Sequence, residues 1–298
     1  MIMLRVFLLG LLAGFTVSAA EQAGRKVLAA DYEKKRIAIV DESGAVDWEH
    51  PIRDIHDLHL LPNGNVLFQT NWTGLVEMTR EKKIVWQYDA SSANGNKGRG
   101  VEVHAFQRLA NGDTMIAESG PARIIEVNAE GRIQHQIALK VIRPNQHRDT
   151  RLARKLTNGN YLVAHEGDGA VREYDSKGKV VWEHEVGNSI YSALRMANGN
   201  TLIGTGNGHG VIEVSPDHKV VWSVKENELP GIKLAWVTTV ESHPDGRVVI
   251  GNCHAGPENP QIIEVTRDKK VVWTFKNFTR FGNAMPTSQV IGVRGALR

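Results

Sequence analysis

Five residues with side chains suited to binding or catalysis recur at one position relative to a repeated turn. The turns read Asn-Gly or Asp-Gly, and the residue of interest stands seven positions before each of them. These residues are His56, His104, Arg151, Tyr191 and Thr238, with Thr287 as the expected sixth member near the end of the chain. All six are polar but their types differ, whereas a purely structural position would be expected to keep one residue type. The position therefore predicts a site in which unlike polar groups converge.

A second polar set stands seven positions after each turn and includes Glu118 and His165. Further candidates follow nearby in the chain, namely His147, Arg148 and His254. An Arg and His cluster suits a sulfate or carboxylate group, because guanidinium forms paired, charge-assisted hydrogen bonds with such anions. The candidate ligand-binding residues are His56, His104, Glu118, His147, Arg148, Arg151, His165, Tyr191 and His254.

The same residue types also allow catalysis, since histidine can act as a nucleophile or general base near neutral pH. The catalytic candidates are His104, His147 and Arg151. We predict no metal site, because no two histidines have tight ligand spacing in the sequence. An alternative is that these polar residues line a water-filled channel and bind no ligand, since the central channels of ring-shaped repeat proteins hold water.

The elements that position these residues come from a repeat. The segment VIEVSPDHKVVWSV at Val211 returns at Leu75, Val171 and Ile262, and fainter copies begin at Ile37 and Ile124. Each copy follows an Asn-Gly or Asp-Gly signal between apolar runs, which is typical of a β-hairpin with a type I′ turn. With the segment before the turn, each unit supplies four antiparallel strands, as in a propeller blade.

The tryptophans of the repeat establish its register. Trp48, Trp86, Trp182, Trp222 and Trp273 occupy equivalent places, with His135 in the remaining unit, and a glutamate stands nine residues earlier in five of the six units. A residue repeated in this way is expected to serve the blade rather than catalysis. The first unit lacks its first strand, while PTSQVIGV near the chain end supplies one. We therefore predict an all-β, six-bladed propeller of four-stranded antiparallel blades, closed by the C-terminal strand joining the N-terminal blade.

Composition and the N-terminus limit the class of protein. The 298 residues carry a formal net charge of +3 without a basic run, which argues against a nucleic-acid partner. Residues 1–20 read as a secretory signal with cleavage after Ala19 or Ala20, so we expect residues 21–298 to form a single propeller domain, exported to the periplasm or secreted. We expect no membrane insertion after signal removal and a monomer. The lone Cys253 excludes an internal disulfide.

The stretch DSKGKVVWEH from Asp175 to His184 resembles the tryptophan-docking repeat of the quinoprotein-like propellers, the family of pyrroloquinoline quinone (PQQ)-like repeats. The resemblance covers nearly the whole mature chain and implies the propeller fold. Quinoprotein dehydrogenases of this kind have eight blades, a calcium site and usually a vicinal disulfide. Six blades and a single cysteine lead us to expect no PQQ here, and the cofactor is left open.

The PNGN and VVW stretches also resemble the bacterial arylsulfate sulfotransferases, six-bladed exported enzymes with a nucleophilic histidine. That resemblance implies His104 or His147 as nucleophile and Arg151 as the sulfate-binding residue. Three hypotheses follow. The chain binds a small anionic or carbohydrate ligand in a His/Arg pocket at one mouth of the central channel; it is an enzyme of sulfotransferase or lyase type; or it is an envelope scaffold for other proteins.

Overall fold

The structure, a computed structural model, describes residues 24–298, so the predicted signal at residues 1–20 lies outside the described residues. Its 24 strands form six four-stranded antiparallel sheets, and each sheet is one blade. Blade 1 contains β1 (Lys26–Asp31), β2 (Arg36–Val40), β3 (Val46–Pro51) and β24 (Thr287–Ile291). Blade 2 contains β4 (Leu58–Leu60), β5 (Val66–Gln69), β6 (Gly74–Met78) and β7 (Ile84–Asp89). Blade 3 contains β8 (Glu102–Arg108), β9 (Thr114–Ser119), β10 (Arg123–Val127) and β11 (Ile133–Ala138).

The second half of the chain repeats the pattern. Blade 4 contains β12 (Ala153–Lys155), β13 (Tyr161–His165), β14 (Ala170–Tyr174) and β15 (Val180–Glu185). Blade 5 contains β16 (Ser192–Arg195), β17 (Thr201–Gly204), β18 (Val211–Val214) and β19 (Val220–Val224). Blade 6 contains β20 (Trp236–Ser242), β21 (Val248–Cys253), β22 (Ile262–Val265) and β23 (Val271–Phe275). The predicted six-bladed fold is therefore confirmed.

The ring closes as predicted. β24 pairs antiparallel with β1, from Lys26 opposite Ile291 to Ala30 opposite Thr287. The first strands of neighbouring blades also contact one another, as β8 does with β12, β12 with β16 and β16 with β20. These first strands therefore surround the axis, and residues at their ends lie at the ends of the central channel. The described part of the chain contains no helix that is long and apolar enough to cross a membrane.

The repeated turns differ from the predicted type I′. In the first of them, the amide of Gly64 donates to the Leu61 carbonyl at 2.9 Å, and the amide of Leu61 donates to the Asn65 carbonyl at 2.8 Å. Gly64 has a positive φ of 84° and Asn63 is not among the positive-φ residues, so this is a type I turn followed by a left-handed glycine. The Asn63 side chain accepts from the Asn65 amide at 3.0 Å. Asn or Asp is favoured for this cap, and glycine for its positive φ.

The Glu and Trp of the repeat lie opposite each other on the third and fourth strands, as Glu77 does with Trp86 and Glu173 with Trp182. Each pair binds a basic residue of the next blade. Nη2 of Arg108 lies 2.8 Å from the Glu77 carboxylate, and the same guanidinium lies 4.9 Å from the Trp86 ring centroid. Arg195 repeats both contacts with Glu173 and Trp182, at 2.6 and 5.0 Å. The repeated glutamates therefore join neighbouring blades, which is the structural role expected of them.

A buried ion pair ties the first strands of two non-adjacent blades together. Asp57, which is 0% exposed, accepts two hydrogen bonds from Arg154, at 2.7 and 3.0 Å. The amides of Leu58 and Phe106 also donate to its carboxylate. Burial alone would raise the pKa of Asp57, but the charges of Arg154 and His59 outweigh burial and hold that pKa far below its usual range. This network braces the interior of the ring.

Candidate active site

The polar residues of the first set lie where the backbone of the first strands is irregular. In blade 3 the pairing of β8 with β9 skips His104, since Val103 pairs with Glu118 and Ala105 pairs with Ala117. Arg151 and Tyr191 lie just before β12 and β16. Extra or unpaired residues of this kind turn a side chain out of the alternation of the strand. The backbone is therefore locally irregular at the positions that present side chains to the channel.

The structure brings four of these residues together from four blades. The ring centroids of His56 and His104 are 4.6 Å apart, and those of His56 and Tyr191 are 5.7 Å apart. Nη1 of Arg151 lies 3.3 Å from Nδ1 of His56 and 3.2 Å from Nδ1 of His104. The predicted convergence of unlike polar groups is present in the structure. Together with Glu102 and His147 these residues form a group that we call the mouth cluster, made of His56, Glu102, His104, His147, Arg151 and Tyr191.

Arg151 is the central cation of the mouth cluster. Its side chain is 6% exposed, and its Nε forms an ion pair with Glu166. Its Nη1 donates to the carbonyl of His147 at 2.7 Å. The other oxygen of Glu166 accepts from Arg148 at 2.8 Å, so this carboxylate joins two arginines. Among the described residues, Nη2 of Arg151 has no hydrogen-bond partner, which leaves a charged donor available to a ligand.

Glu102 connects two histidines. Its Oε2 lies 2.9 Å from Nε2 of His104 and 2.6 Å from Nδ1 of His147. Burial would raise the pKa of Glu102, but hydrogen bonding to the two imidazoles lowers it to about 2. The side chain of His147 is 44% exposed, whereas that of His104 is 0% exposed. Glu102 is therefore an ionised carboxylate between one buried and one accessible imidazole.

The buried rings and hydroxyl of the cluster are neutral near pH 7. Burial and the charge of Arg151 lower the pKa of His104 to about 4, against the effect of Glu102. The same two causes lower the pKa of His56 well below its usual value. Burial raises the pKa of Tyr191 well above its usual value, so the hydroxyl keeps its proton. That hydroxyl is buried and has no hydrogen-bond partner among the described residues.

The remaining predicted residues have partners of their own. Glu118, on β9, binds Arg123 at 2.6 Å and Asn96 at 2.9 Å. His165, at the end of β13, uses both ring nitrogens: Nδ1 contacts the Asp149 carbonyl at 2.7 Å and Nε2 the Tyr174 hydroxyl at 2.9 Å.

Arg148 and His254 are placed differently. Arg148 adjoins the mouth cluster through Glu166 and also donates to Ser189 at 2.7 Å. His254 pairs instead with Tyr32, whose hydroxyl lies 2.9 Å from its Nε2. The structure thus assembles His56, His104, His147, Arg151 and Tyr191, with Arg148 beside them, and gives Glu118, His165 and His254 separate contacts.

Two residues of the site were missed by the sequence reasoning. Glu102 precedes His104 by two residues, and a carboxylate beside a predicted site histidine on one strand was the available signal. Trp72 lies outside the tryptophan register of the repeat, which marked it as serving something other than the blade. Its ring centroid lies 4.8 Å from that of His56 and 5.2 Å from that of His147. Trp72 therefore forms an aromatic wall beside the two histidines.

Several known proteins share this architecture. A protein of unknown function from Bacteroides caccae is 23% identical, with a TM-score of 0.78 over 89% of this chain and 98% of that chain. A streptogramin B lyase is 13% identical, with a TM-score of 0.59 over 84% of this chain and 80% of that one. A catalytically inactive virginiamycin B lyase from Staphylococcus aureus, solved with quinupristin, is 12% identical, with a TM-score of 0.60 over 89% and 93% of the two chains. At these identities the likeness concerns the fold alone.

Sequence comparison adds the family. A search of curated proteins finds no match. Residues 33–274, which are most of the chain, match the PQQ-like repeat model described as outer membrane protein assembly factor BamB. The match includes every strand except β1 and β24, the two inner strands of blade 1, and it ends one residue before the end of β23. This chain therefore belongs to the PQQ-like repeat family of β-propellers, as its tryptophan repeat and its six four-stranded blades indicate.

Proposed function

We propose that this protein binds a small anionic ligand at the mouth cluster. The observation that carries the proposal is the nearly buried guanidinium of Arg151, whose Nη2 has no partner among the described residues. Nη2 is not among the fully buried polar atoms that lack a partner, so it is open to solvent at the site. An anionic oxygen at this position would accept a charge-assisted hydrogen bond from Nη2 in place of water. The neutral hydroxyl of Tyr191, also without a described partner, supplies a second donor nearby.

The walls of the site favour an organic anion with a ring over a bare inorganic one. Trp72 and Tyr191 pack edge-on against His56, so aromatic surface adjoins the charged donor. Aromatic side chains combined with a few convergent polar groups are typical of small-molecule and sugar sites. The carboxylates of Glu102 and Glu166 already balance Arg148 and Arg151, so recognition rests on directed donors rather than on an excess of positive charge. A uronic acid or a sulfate ester fits this combination.

We expect Arg151→Gln to remove ligand binding while the fold persists. Glutamine keeps the side chain polar, and Arg148 continues to pair with Glu166, so the propeller should remain folded. The measurement is a thermal-shift screen of the mature chain with aryl sulfate esters, uronic acids and the matching neutral sugars. A ligand that raises the Tm of the wild type should leave the Tm of Arg151→Gln unchanged, since only binding to the folded state shifts it.

Arg132→Gln is the matched control, because Arg132 is 70% exposed in a surface turn and pairs only with Glu130 there. This variant should show the full ligand-induced shift. An anion that stabilises Arg151→Gln as much as the wild type would contradict the proposed site. If neutral sugars bind as well as their acidic counterparts, the ligand is a neutral carbohydrate and the anionic part of the proposal is wrong.

An enzymatic role is the second candidate, and the Glu102–His147 pair is the observation that favours it. The carboxylate contacts Nδ1 of His147 at 2.6 Å, and Nε2 has no hydrogen-bond partner among the described residues. A carboxylate that orients an accessible imidazole is the arrangement used by general bases and histidine nucleophiles. His104 is less suited, because protein groups contact both of its ring nitrogens. Sulfuryl transfer from an aryl sulfate, or elimination in a uronate, would use His147 with Arg151 beside the anion.

If the site is catalytic, His147→Ala should lower turnover by roughly 100-fold or more, the usual contribution of a positioned acid or base. Glu102→Gln should lower turnover less while shifting the pH profile, because the imidazole remains but loses its ionised partner. Release of nitrophenol from its sulfate ester, and the ultraviolet absorbance of an unsaturated uronate, are the two assays. Equal turnover in the wild type and His147→Ala would exclude His147 as the catalytic histidine, and no turnover of either substrate by the wild type would contradict the enzymatic role.

We infer that the mature chain works outside the cytoplasm as a monomer. The apolar run before Ala19 and Ala20 supports export, and a propeller closed by β24 leaves no blade incomplete for a second copy to fill. The intact mass of the chain recovered from the periplasm or medium tests cleavage after either alanine. Light scattering of the same sample tests the monomer.

A further inference from the structure

Three potential metal ligands meet within the mouth cluster, although the sequence showed no metal-binding spacing. A carboxylate oxygen of Glu102, a ring nitrogen of His104 and a ring nitrogen of His147 all lie within 4.8 Å of one another. They come from two separated segments, since Glu102 and His104 lie on β8 and His147 lies in the loop between β11 and β12. Only the folded chain brings them together, so the spacing in the sequence did not predict a metal site.

We propose that Glu102, His104 and His147 bind a divalent transition-metal ion, with Zn²⁺ as the best fit. Two imidazoles and one carboxylate are the ligand types that Zn²⁺ accepts, whereas Mg²⁺ and Ca²⁺ prefer sites made of oxygen alone. Three protein ligands with one open position are typical of zinc sites that also bind a small molecule. The open position would face the channel mouth, on the side of the accessible His147.

The spacing of the three groups is close to what an ion requires. Ligands at about 2.0–2.2 Å from a tetrahedral zinc lie roughly 3.3–3.5 Å from each other. The present separations from Glu102 are 2.9 Å to His104 and 2.6 Å to His147. Each of these separations must widen by roughly 0.4–0.9 Å to admit the ion, and we propose that rotation of the His147 and Glu102 side chains supplies this change.

The surroundings of His104 supply an independent argument. Its Nδ1 lies 2.8 Å from the carbonyl of Thr150, and its Nε2 lies 2.9 Å from the carboxylate of Glu102. A neutral imidazole has one ring proton, so it can donate to only one of these two acceptors. Without a metal, a proton on Nε2 can donate to Glu102 while Nδ1 faces Arg151 and Thr150. A bound cation would take the Nε2 lone pair and place the proton on Nδ1, where it donates to Thr150. A backbone carbonyl on the other nitrogen is the usual outer partner of a metal-bound histidine.

The nearby charge does not exclude a cation. Arg151 approaches Nδ1 of His104 at 3.2 Å, on the side of the ring away from Glu102, and Glu166 pairs with it. Glu102 is the one carboxylate in the ligand set and contributes the only negative charge there. The second oxygen of Glu102 contacts Gln146 at 3.4 Å, a weak contact that a bidentate carboxylate could give up. The metal proposal does not depend on the anion proposal.

The test is metal titration of the mature chain, purified without a histidine tag and stripped with a chelator. Calorimetry with zinc chloride should give one site per chain, and Co²⁺ should produce the visible absorption of a low-coordinate nitrogen and oxygen site. His147→Ala and Glu102→Gln should each weaken zinc binding by about 100-fold or more, since even outer-partner mutations weaken binding by roughly 10- to 100-fold. His209→Asn is the control, because His209 contacts the Ala235 carbonyl outside the cluster and its positive φ of 55° suits asparagine.

Absence of a one-to-one site, or unchanged zinc affinity in both ligand variants, would overturn the proposal. An equal loss in His209→Asn would show nonspecific histidine binding and would overturn it as well. Arg151→Gln separates the two proposals, because it should abolish anion binding while zinc still binds. Zinc binding without anion binding in the wild type would contradict only the anion proposal. Anion binding without zinc binding would contradict only the metal proposal.

Discussion

A chain that ends after Met285 should show no cooperative unfolding transition. Such a truncation removes β24, which pairs with β1 along its whole length from Lys26 to Ala30. It also removes the side chain of Gln289, which accepts from the Leu60 amide in the next blade at 2.8 Å. β1 would then have an unpaired edge at the centre of the ring, where water and neighbouring chains could reach it. The expected loss exceeds the roughly 5–15 kcal/mol that stabilises a typical domain.

Circular dichroism during urea titration measures this outcome, and a circular permutant is the matched control. In the permutant, residues 286–298 precede Arg25 through a short flexible linker, so β24 and β1 form a hairpin in the observed antiparallel register. This variant should unfold cooperatively like the wild type, since the blade needs the strand rather than its place in the chain. A truncated chain with a wild-type midpoint would show that β24 is dispensable for the fold.

Asp57→Ala should destabilise the protein by about 3–5 kcal/mol at pH 7, because it leaves a buried guanidinium without its partner. Arg154 is 7% exposed and gives both of its short carboxylate hydrogen bonds to Asp57. Urea unfolding of the wild type and variant measures the difference. Asp217→Ala is the control, because Asp217 is 60% exposed and its side chain contacts only Ser215 and Lys219 in a surface turn. Its effect should stay within about 0.5 kcal/mol.

The same carboxylate predicts a dependence on pH. The folded-state pKa of Asp57 lies well below the ordinary value of 3.8, so its stabilising effect is present above 3.8. That effect is lost as the pH falls from 3.8 toward the lower folded-state pKa. Wild type and Asp57→Ala should therefore converge in stability as the pH is lowered below about 3.8. A constant difference between them across that range would mean that packing, rather than charge, accounts for the loss.

The blades and their register were predictable because they depend on neighbours in sequence. Alternating apolar residues, a capped turn and a glutamate nine residues before a tryptophan specify a four-stranded unit in each copy, and the pairing of Glu77 with Trp86 follows that pattern. The missing strand of blade 1 and the spare strand at residues 287–291 predicted the closure. The turn type was mistaken, since the type I turn with glycine after it needs only one positive φ, at Gly64.

Most of the site was predictable because it follows the repeat. His56, His104, Arg151 and Tyr191 share one position in the unit, so closing the ring necessarily brings them near one axis. Trp72 lies in the loop between β5 and β6, and His147 lies in the loop between β11 and β12, where the repeat does not specify the residue type. Their contact at 5.2 Å arises from two blades and is decided by how the loops fold over the channel.

The amino-acid sequence by itself therefore determined the number of blades, their strand register, the closure by β24 and the ring of polar residues at the first strands. The tertiary structure alone decided that Glu102 lies between His104 and His147, and that Glu166 pairs with both Arg148 and Arg151. The physical reason is the separation in sequence between the residues that contact each other. Hydrogen bonds within a blade connect segments whose spacing repeats, whereas contacts within the mouth cluster connect strands and loops of different blades that meet only after the ring has closed.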